Sequence, residues 1–260
     1  MKFYDAHIHY IGKNSVDLLN KTVETSKYKN IFLGYVAWEK SINIDEHIKS
    51  CAGGFVMPYC LKELSPSIGN EELINNFSTH KSMNMVPFIS TNVEDFVDFD
   101  NFVGYKEHFY IHNCFQWAER DACYKYLNDK KKLLILHCDN INRIDYVRFL
   151  CEKYPDMIIQ IAHLGRFPNS FDASKLVLKE LSDLKQIYFD VSATFDSELL
   201  RYATSLAEDR ILFGTDVPYV YTPNYMEKYE QIISRANLSD ICREKLMTEN
   251  YLELISKIKH

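Results

Sequence analysis

Short apolar runs alternate with longer segments of helical period along most of this chain. That alternation narrows the fold more than any other feature. Parallel strands need long crossover connections, and a helix is the usual one. Strand candidates are Phe3–His7, Ile31–Ala37, Gly54–Cys60, Asn84–Ser90, Val103–His108, Leu133–Cys138, Met157–His163, Gln186–Ser192 and Arg210–Asp216. Helical spacing covers Ser15–Tyr28, Gln116–Asn128, Ile141–Lys153, Asp172–Ser182, Ser197–Ala207, Thr222–Ala236 and Ser239–Ile258. The expected fold is α/β, a (β/α)8 barrel. Nine strand candidates compete for eight places, so the barrel is expected to be distorted or to carry an accessory strand near residues 31–60. The interval 37–69 is the least defined, and a lid over the barrel mouth is one reading of it.

The chain has 260 residues, and one such barrel takes about 250. Gly (8) and Pro (7) are scarce and no linker is visible, so residues 1–260 read as a single barrel domain. The charge balance is 30 − 36 = −6, which argues against a nucleic-acid binder driven by electrostatics. No run of about twenty apolar residues suggests a membrane span. The start, Met1–His7, has no apolar signal core. Seven cysteines, an odd number with no Cys-x-x-Cys pair, read as small core hydrophobes of a reduced, cytoplasmic protein.

The ends of the predicted strands carry the chemistry. They hold His7-Ile8-His9, then Lys106 with His108 just beyond, then His137, His163 and Asp216. A parallel barrel places its active site at those carboxyl ends. Residues two apart on a strand share a face, so His7 and His9 make a half-site for a borderline metal such as zinc. The barrel axis directs His137, His163 and Asp216 to the same point. The spacings agree: 163 − 137 = 26 residues is one β-α unit, and 216 − 163 = 53 is two. A lone His-x-His is a weak signal, but this ordered set points to a metal site. His47, His80, His112 and His260 fall in helices, loops or the tail and read as structural.

With their neighbours, these residues resemble the amidohydrolase superfamily of metal-dependent barrels. The nearest likeness is to its amidohydrolase-2 branch, which holds hydrolases and aromatic or muconate-type decarboxylases. The matching segments are Asp5-Ala6-His7-Ile8-His9, the His137 strand, Ile161–Arg166, Phe189–Ser192 and Ile211–Pro218, with Asn70–Leu73 and Val86–Phe88 adding to the likeness. The resemblance spans most of the chain and is thin between Ile11 and Gly53. It implies that His7, His9, His137 and Asp216 ligate one or two divalent ions, zinc first and manganese second. It makes Asp216 also a general base, and His163 either a ligand of a second ion or a group that polarises the substrate oxygen. Lys106 has three readings: a carboxylated bridge between two metals, an ammonium for a substrate carboxylate, or an exposed lysine.

His108 shares the face of Lys106 and either lines the pocket or is an ordinary packed histidine. Arg166 could fork an anionic group, and Tyr219 would form a wall. The implied reaction is hydrolysis of a small-molecule amide, ester or lactone by metal-activated water. The alternative is decarboxylation or hydration of an unsaturated or aromatic carboxylate. TatD-like deoxyribonucleases bridge their metals with a fourth-strand glutamate, and Glu107 has the opposite parity to Lys106 and His108. A barrel kept only for binding would be expected to lose His9 or Asp216. The expected partners are a small-molecule substrate, no nucleic acid and no membrane, with a homodimer as the base-rate assembly.

Overall fold

Among the described residues, eight parallel strands form two sheets whose outer edges meet. The computed structural model describes residues 2–22, 44–59, 65–89, 99–108, 117–138, 143–165, 171–219 and 224–258. One sheet holds β1 (Tyr4–Tyr10), β2 (Gly53–Pro58) and β3 (Met83–Met85) in that order. The other runs β4 (Gly104–His108), β5 (Leu133–His137), β6 (Ile158–Ile161), β7 (Ile187–Asp190) and β8 (Ile211–Leu212). Parallel bridges Met85–Phe102 and Phe88–Lys106 join the β3 side to the β4 side. At the other edge Ala6 N donates to Phe213 O, Asp216 N to His7 O and His9 N to Val217 O, each at 2.8 Å. The ring is therefore closed, and the expected eight-stranded barrel is present. Gly54–Cys60 supplies β2; the competing candidate Ile31–Ala37 lies outside the described residues.

Helices α1 (Lys13–Thr22), α2 (Ile44–Ser50), α3 (Pro66–Phe77), α4 (Trp117–Asp129) and α5 (Ile144–Lys153) belong to the first half of the chain and the β5–β6 connection. They are followed by α6 (Phe171–Leu181), α7 (Ser197–Ala207), α8 (Tyr225–Ala236), α9 (Asp240–Glu244) and α10 (Asn250–Lys257). Strand alternation feeds two cores. Ala6, Phe55, Met57, Ile135, Tyr188 and Leu212 pack together inside the barrel, with Tyr251 and Leu254 of α10. Ile8, Val56, Leu134, Leu136, Ile159 and Phe189 pack outward among the helices. Tyr251 stacks on Tyr4 at 4.7 Å and takes a 2.9 Å hydrogen bond from Asn84 Nδ2, so α10 floors the amino-terminal end.

One irregularity positions the site. Asp5 pairs with Gly54 and Ile8 with Val56, so β1 spends three steps where β2 spends two. This bulge turns Asp5 away from the interior while Ala6, His7 and His9 serve the inner side. Bulges commonly re-aim side chains beside active sites.

Several elements differ from their sequence reading. The last strand is Ile211–Leu212 rather than Arg210–Asp216, and the sixth ends at Ile161. His163 and Leu164 take left-handed φ values of 57° and 51°, which ends the strand in a tight turn. Ser239–Ile258 is interrupted by a π-turn at Lys245–Glu249, where Leu246 O accepts from Phe213 N at 3.0 Å. Among the described residues, no helix is long and apolar enough to cross a membrane. Cys123, Cys138, Cys151 and Cys242 are buried, as small hydrophobes would be.

Candidate active site

Three donors meet at the carboxyl ends of β1 and β8. His7 Nε2 and His9 Nε2 lie 3.3 Å apart, and Asp216 Oδ1 is 3.5 Å from the first and 3.4 Å from the second. The far side of each ring is fixed. His9 Nδ1 is 2.7 Å from Pro58 O, which can only accept, so Nδ1 carries the hydrogen. His7 Nδ1 is 3.0 Å from Asp190 Oδ2 and donates to it in the same way. Burial lowers the pKa of His7, and burial and then the nearby Lys106 charge lower that of His9 to about 3, so both rings are neutral near pH 7. Two nitrogen lone pairs and a carboxylate oxygen then face one point. Left alone, they repel; a divalent cation satisfies all three. Ring nitrogens oriented by a carboxylate and a carbonyl behind them are the usual support of metal-ligating histidines. The residues present fit a metal ion.

Asp190 is the organising group behind that point. Its carboxylate accepts from His7 Nδ1, from Gln160 Nε2 at 2.6 Å, from His163 N at 3.0 Å, from Ser192 N at 3.1 Å and from Ser192 Oγ. Burial alone would raise its pKa, but the His7 and His163 rings and the Ser192 hydroxyl hold it well below the usual carboxylate range. Burial raises that of Asp216.

His163 leaves β6 in its left-handed turn with Nδ1 2.8 Å from Ser192 Oγ and 3.0 Å from Ser192 O. The carbonyl makes Nδ1 the donor, so Nε2 is the acceptor, 3.1 Å from His137 Nδ1. Burial lowers the His163 pKa to about 4. His7, His163 and Asp190 form a second potential metal-binding group that shares His7 with the first. His137 is paired with His163, and no described contact draws it into the His7–His9–Asp216 trio. His108 stacks on it at 3.9 Å and 11°.

Lys106 is 1% exposed, which overturns the exposed-lysine reading. Its Nζ lies 3.3 Å from His7 Nε2. Glu107, its neighbour of opposite parity, is buried on the outer side and accepts from Tyr124 OH of α4 at 2.6 Å, so it does not reach the mouth as a nuclease bridge would. Tyr219 meets His9 edge to face at 4.8 Å and stacks on Tyr59 at 4.3 Å. Arg166 lies outside the described residues.

Asp190, Ser192, Gln160, Tyr59 and Asp5 have no role that their sequence pattern alone assigns. Asp190 carries one signal, its place in the Phe189–Ser192 segment of the family likeness. Gln160 had none, since its partners Ala6 and Asp190 come from β1 and β7.

The amidohydrolase family model matches residues 101–254. Solved structures share the fold across nearly the full length. Amidohydrolase 2 from Bifidobacterium longum subsp. infantis has a TM-score of 0.68 at 15% identity, covering 98% of this chain and 99% of that one. A probable 2-pyrone-4,6-dicarboxylic acid hydrolase from Acinetobacter baumannii has 0.69 at 14%, covering 98% and 100%. A 5-carboxyvanillate decarboxylase from Sphingomonas paucimobilis has 0.68 at 8%, covering 98% and 99%. No curated protein sequence matches the chain.

Proposed function

The chain belongs to the amidohydrolase family, and from that premise we propose a metal-dependent hydrolase of a small-molecule amide, ester or lactone. One observation carries the reading: the unprotonated Nε2 atoms of His7 and His9 face each other and the Asp216 carboxylate within 3.5 Å. His7, His9 and Asp216 would hold the ion, zinc in the first instance, with His137 as the further donor across the mouth. A divalent ion supplies a Lewis acid for the substrate oxygen and lowers the pKa of coordinated water toward neutrality. The protein's own residues do the rest. Asp216 would take the proton of the attacking water as a general base. His163 presents an acceptor nitrogen, which favours a ligand or proton-accepting role over polarising an oxygen by donation. Asp190 fixes the tautomer of His7, and Tyr59 with Tyr219 closes one side of the mouth.

Decarboxylation of an unsaturated or aromatic carboxylate is the second reading. The buried Lys106 ammonium beside His7 favours it, because that charge could hold a substrate carboxylate. Metal content, measured on protein purified without chelator or added metal, separates the two. About two ions, falling to one or fewer in Lys106→Ala, is the result expected of a bridging, carboxylated lysine and of hydrolysis. About one ion, unchanged in Lys106→Ala, moves the assignment to decarboxylation. Protein that takes up neither zinc nor manganese would overturn both.

A further inference from the structure

We infer that His47, on α2, is a positioning residue: with Tyr225 and Asp5 it forms a buried relay that holds the backbone of β1 and β8 where the candidate ligands leave them. The β1 bulge sends Asp5 out of the barrel interior, and its carboxylate meets four donors. Oδ1 accepts from His7 N and Thr215 N, each at 3.0 Å. Oδ2 accepts from Thr215 Oγ1 at 2.6 Å and faces His47 Nε2 at 2.8 Å. Three of the four donors belong to His7 or to the residue before Asp216. The fourth arrives from a helix outside the ring.

His47 is itself buried, and its Nδ1 lies 2.5 Å from Tyr225 OH on α8. Because the Asp5 oxygen accepts, Nε2 carries the hydrogen and Nδ1 accepts from the tyrosine. One turn along α8, Tyr229 OH donates to Thr215 O at 3.1 Å and accepts from Ala193 N at 2.8 Å. Thr215 is thus held at its N–H, its hydroxyl and its carbonyl, and Asp216 follows it with φ 63°. A left-handed residue persists where its surroundings over-determine it. Here the surroundings are Asp5, backed by His47, and Tyr229.

Asp5, His47 and Cys51 could also be read as a cation site, since their donor atoms cluster. The distances argue against it. Two ligands about 2.0–2.1 Å from a tetrahedral ion sit about 3.3 Å apart, whereas His47 Nε2 and Asp5 Oδ2 are at hydrogen-bond separation. Burial, and then the Asp5 carboxylate, also push the Cys51 thiol well above its usual pKa.

The test uses His47→Leu, which removes the donor, and His47→Gln, which returns an N–H at similar reach. Hydrogen–deuterium exchange reads the His7 and Thr215 amides directly, with no metal required. Loss of one donor to a buried carboxylate should speed exchange at those two amides about tenfold in His47→Leu, leave β5 and β6 unchanged, and be largely reversed in His47→Gln. Metal affinity, read by chelator competition, should fall about 10-fold or more in His47→Leu and recover in His47→Gln. Faster exchange spread evenly over the barrel, or His47→Gln behaving as His47→Leu does, would overturn the proposal. Should His47→Leu fail to fold, Tyr225→Phe decides: faster exchange at the same amides supports the relay, and wild-type exchange there overturns it. The affinity readout rests on the proposed metal trio. Wild-type protein that binds no metal would sink that reading, while exchange would still decide the role of His47.

Discussion

Asp190 can stay ionised inside the barrel because its two oxygens accept from His7, Gln160, His163 and Ser192. Its pKa lies below the unfolded value, so its stabilisation is present above the usual carboxylate pKa and is lost only under stronger acid. Lys132 shows the opposite balance. Its ammonium donates to Phe102 O at 2.6 Å, and burial, then Lys130, lower its pKa from 10.5 to about 8. Between those values the unfolded chain binds a proton that the folded protein has released, so stability rises with pH. Wild-type protein should therefore gain stability over Lys132→Met between pH 8 and 10.5, as read by urea midpoints. A constant difference across that window would mean that Lys132 keeps its proton in the fold. Single residues were legible in the sequence where one rule, chemistry at a strand end, sufficed. His7, His9 and Asp216 obey it. Asp190 lies inside the expected strand Gln186–Ser192 and ends the observed one, and its importance lies in a partner 183 residues away. His47 reads as structural from its place in the sequence; it is buried, and its link to Asp5 crosses 42 residues.

Elements were legible in their middles and less so at their ends. Strand ends here are set by closure of the ring and by turns, which local periodicity does not encode. The turn after β6 is the clearest case, with His163, Leu164 and Gly165 all at positive φ. That geometry points the His163 amide at Asp190 and its ring at Ser192. Gly165 is needed there for two reasons. Its φ is +65°, and an added Cβ would lie 2.5 Å from Val177 Cγ1 of α6. The left-handed cost and the overpacking together predict a loss of about 2–4 kcal/mol for Gly165→Ala, measured by urea unfolding. A loss below about 1 kcal/mol would show that α6 yields and that the turn does not fix His163. The interrupted carboxyl-terminal helix has a similar origin. Its period reads as one helix, yet its π-turn carries the carbonyl that Phe213 N needs.

At the scale of the whole molecule, alternation announced the barrel, but it offered nine strands where the ring uses eight, because an apolar run does not disclose whether it finds a neighbour. The join that closes the ring is also where the candidate ligands sit. The last strand pairs with β7 at only two positions, Phe189–Ile211 and Asp190–Leu212. Beyond it, Asp216 N and His9 N make two of the hydrogen bonds that tie the β8 side to β1. An ion held by His7 and His9 on one side and Asp216 on the other would therefore staple the closure of the barrel. Ligands that bind only the folded state stabilise it by about 2.7 kcal/mol at a hundredfold excess over Kd. For a domain of this size that is a rise in Tm of about 5–10 °C. Adding zinc to stripped protein should produce such a rise, and amide exchange should slow most at β1 and at residues 213–217. Asp216→Asn should lose most of both effects, because it removes the charge on one side of the join. An equal rise in that variant would place the stabilising ion elsewhere and separate metal binding from the closure of the ring.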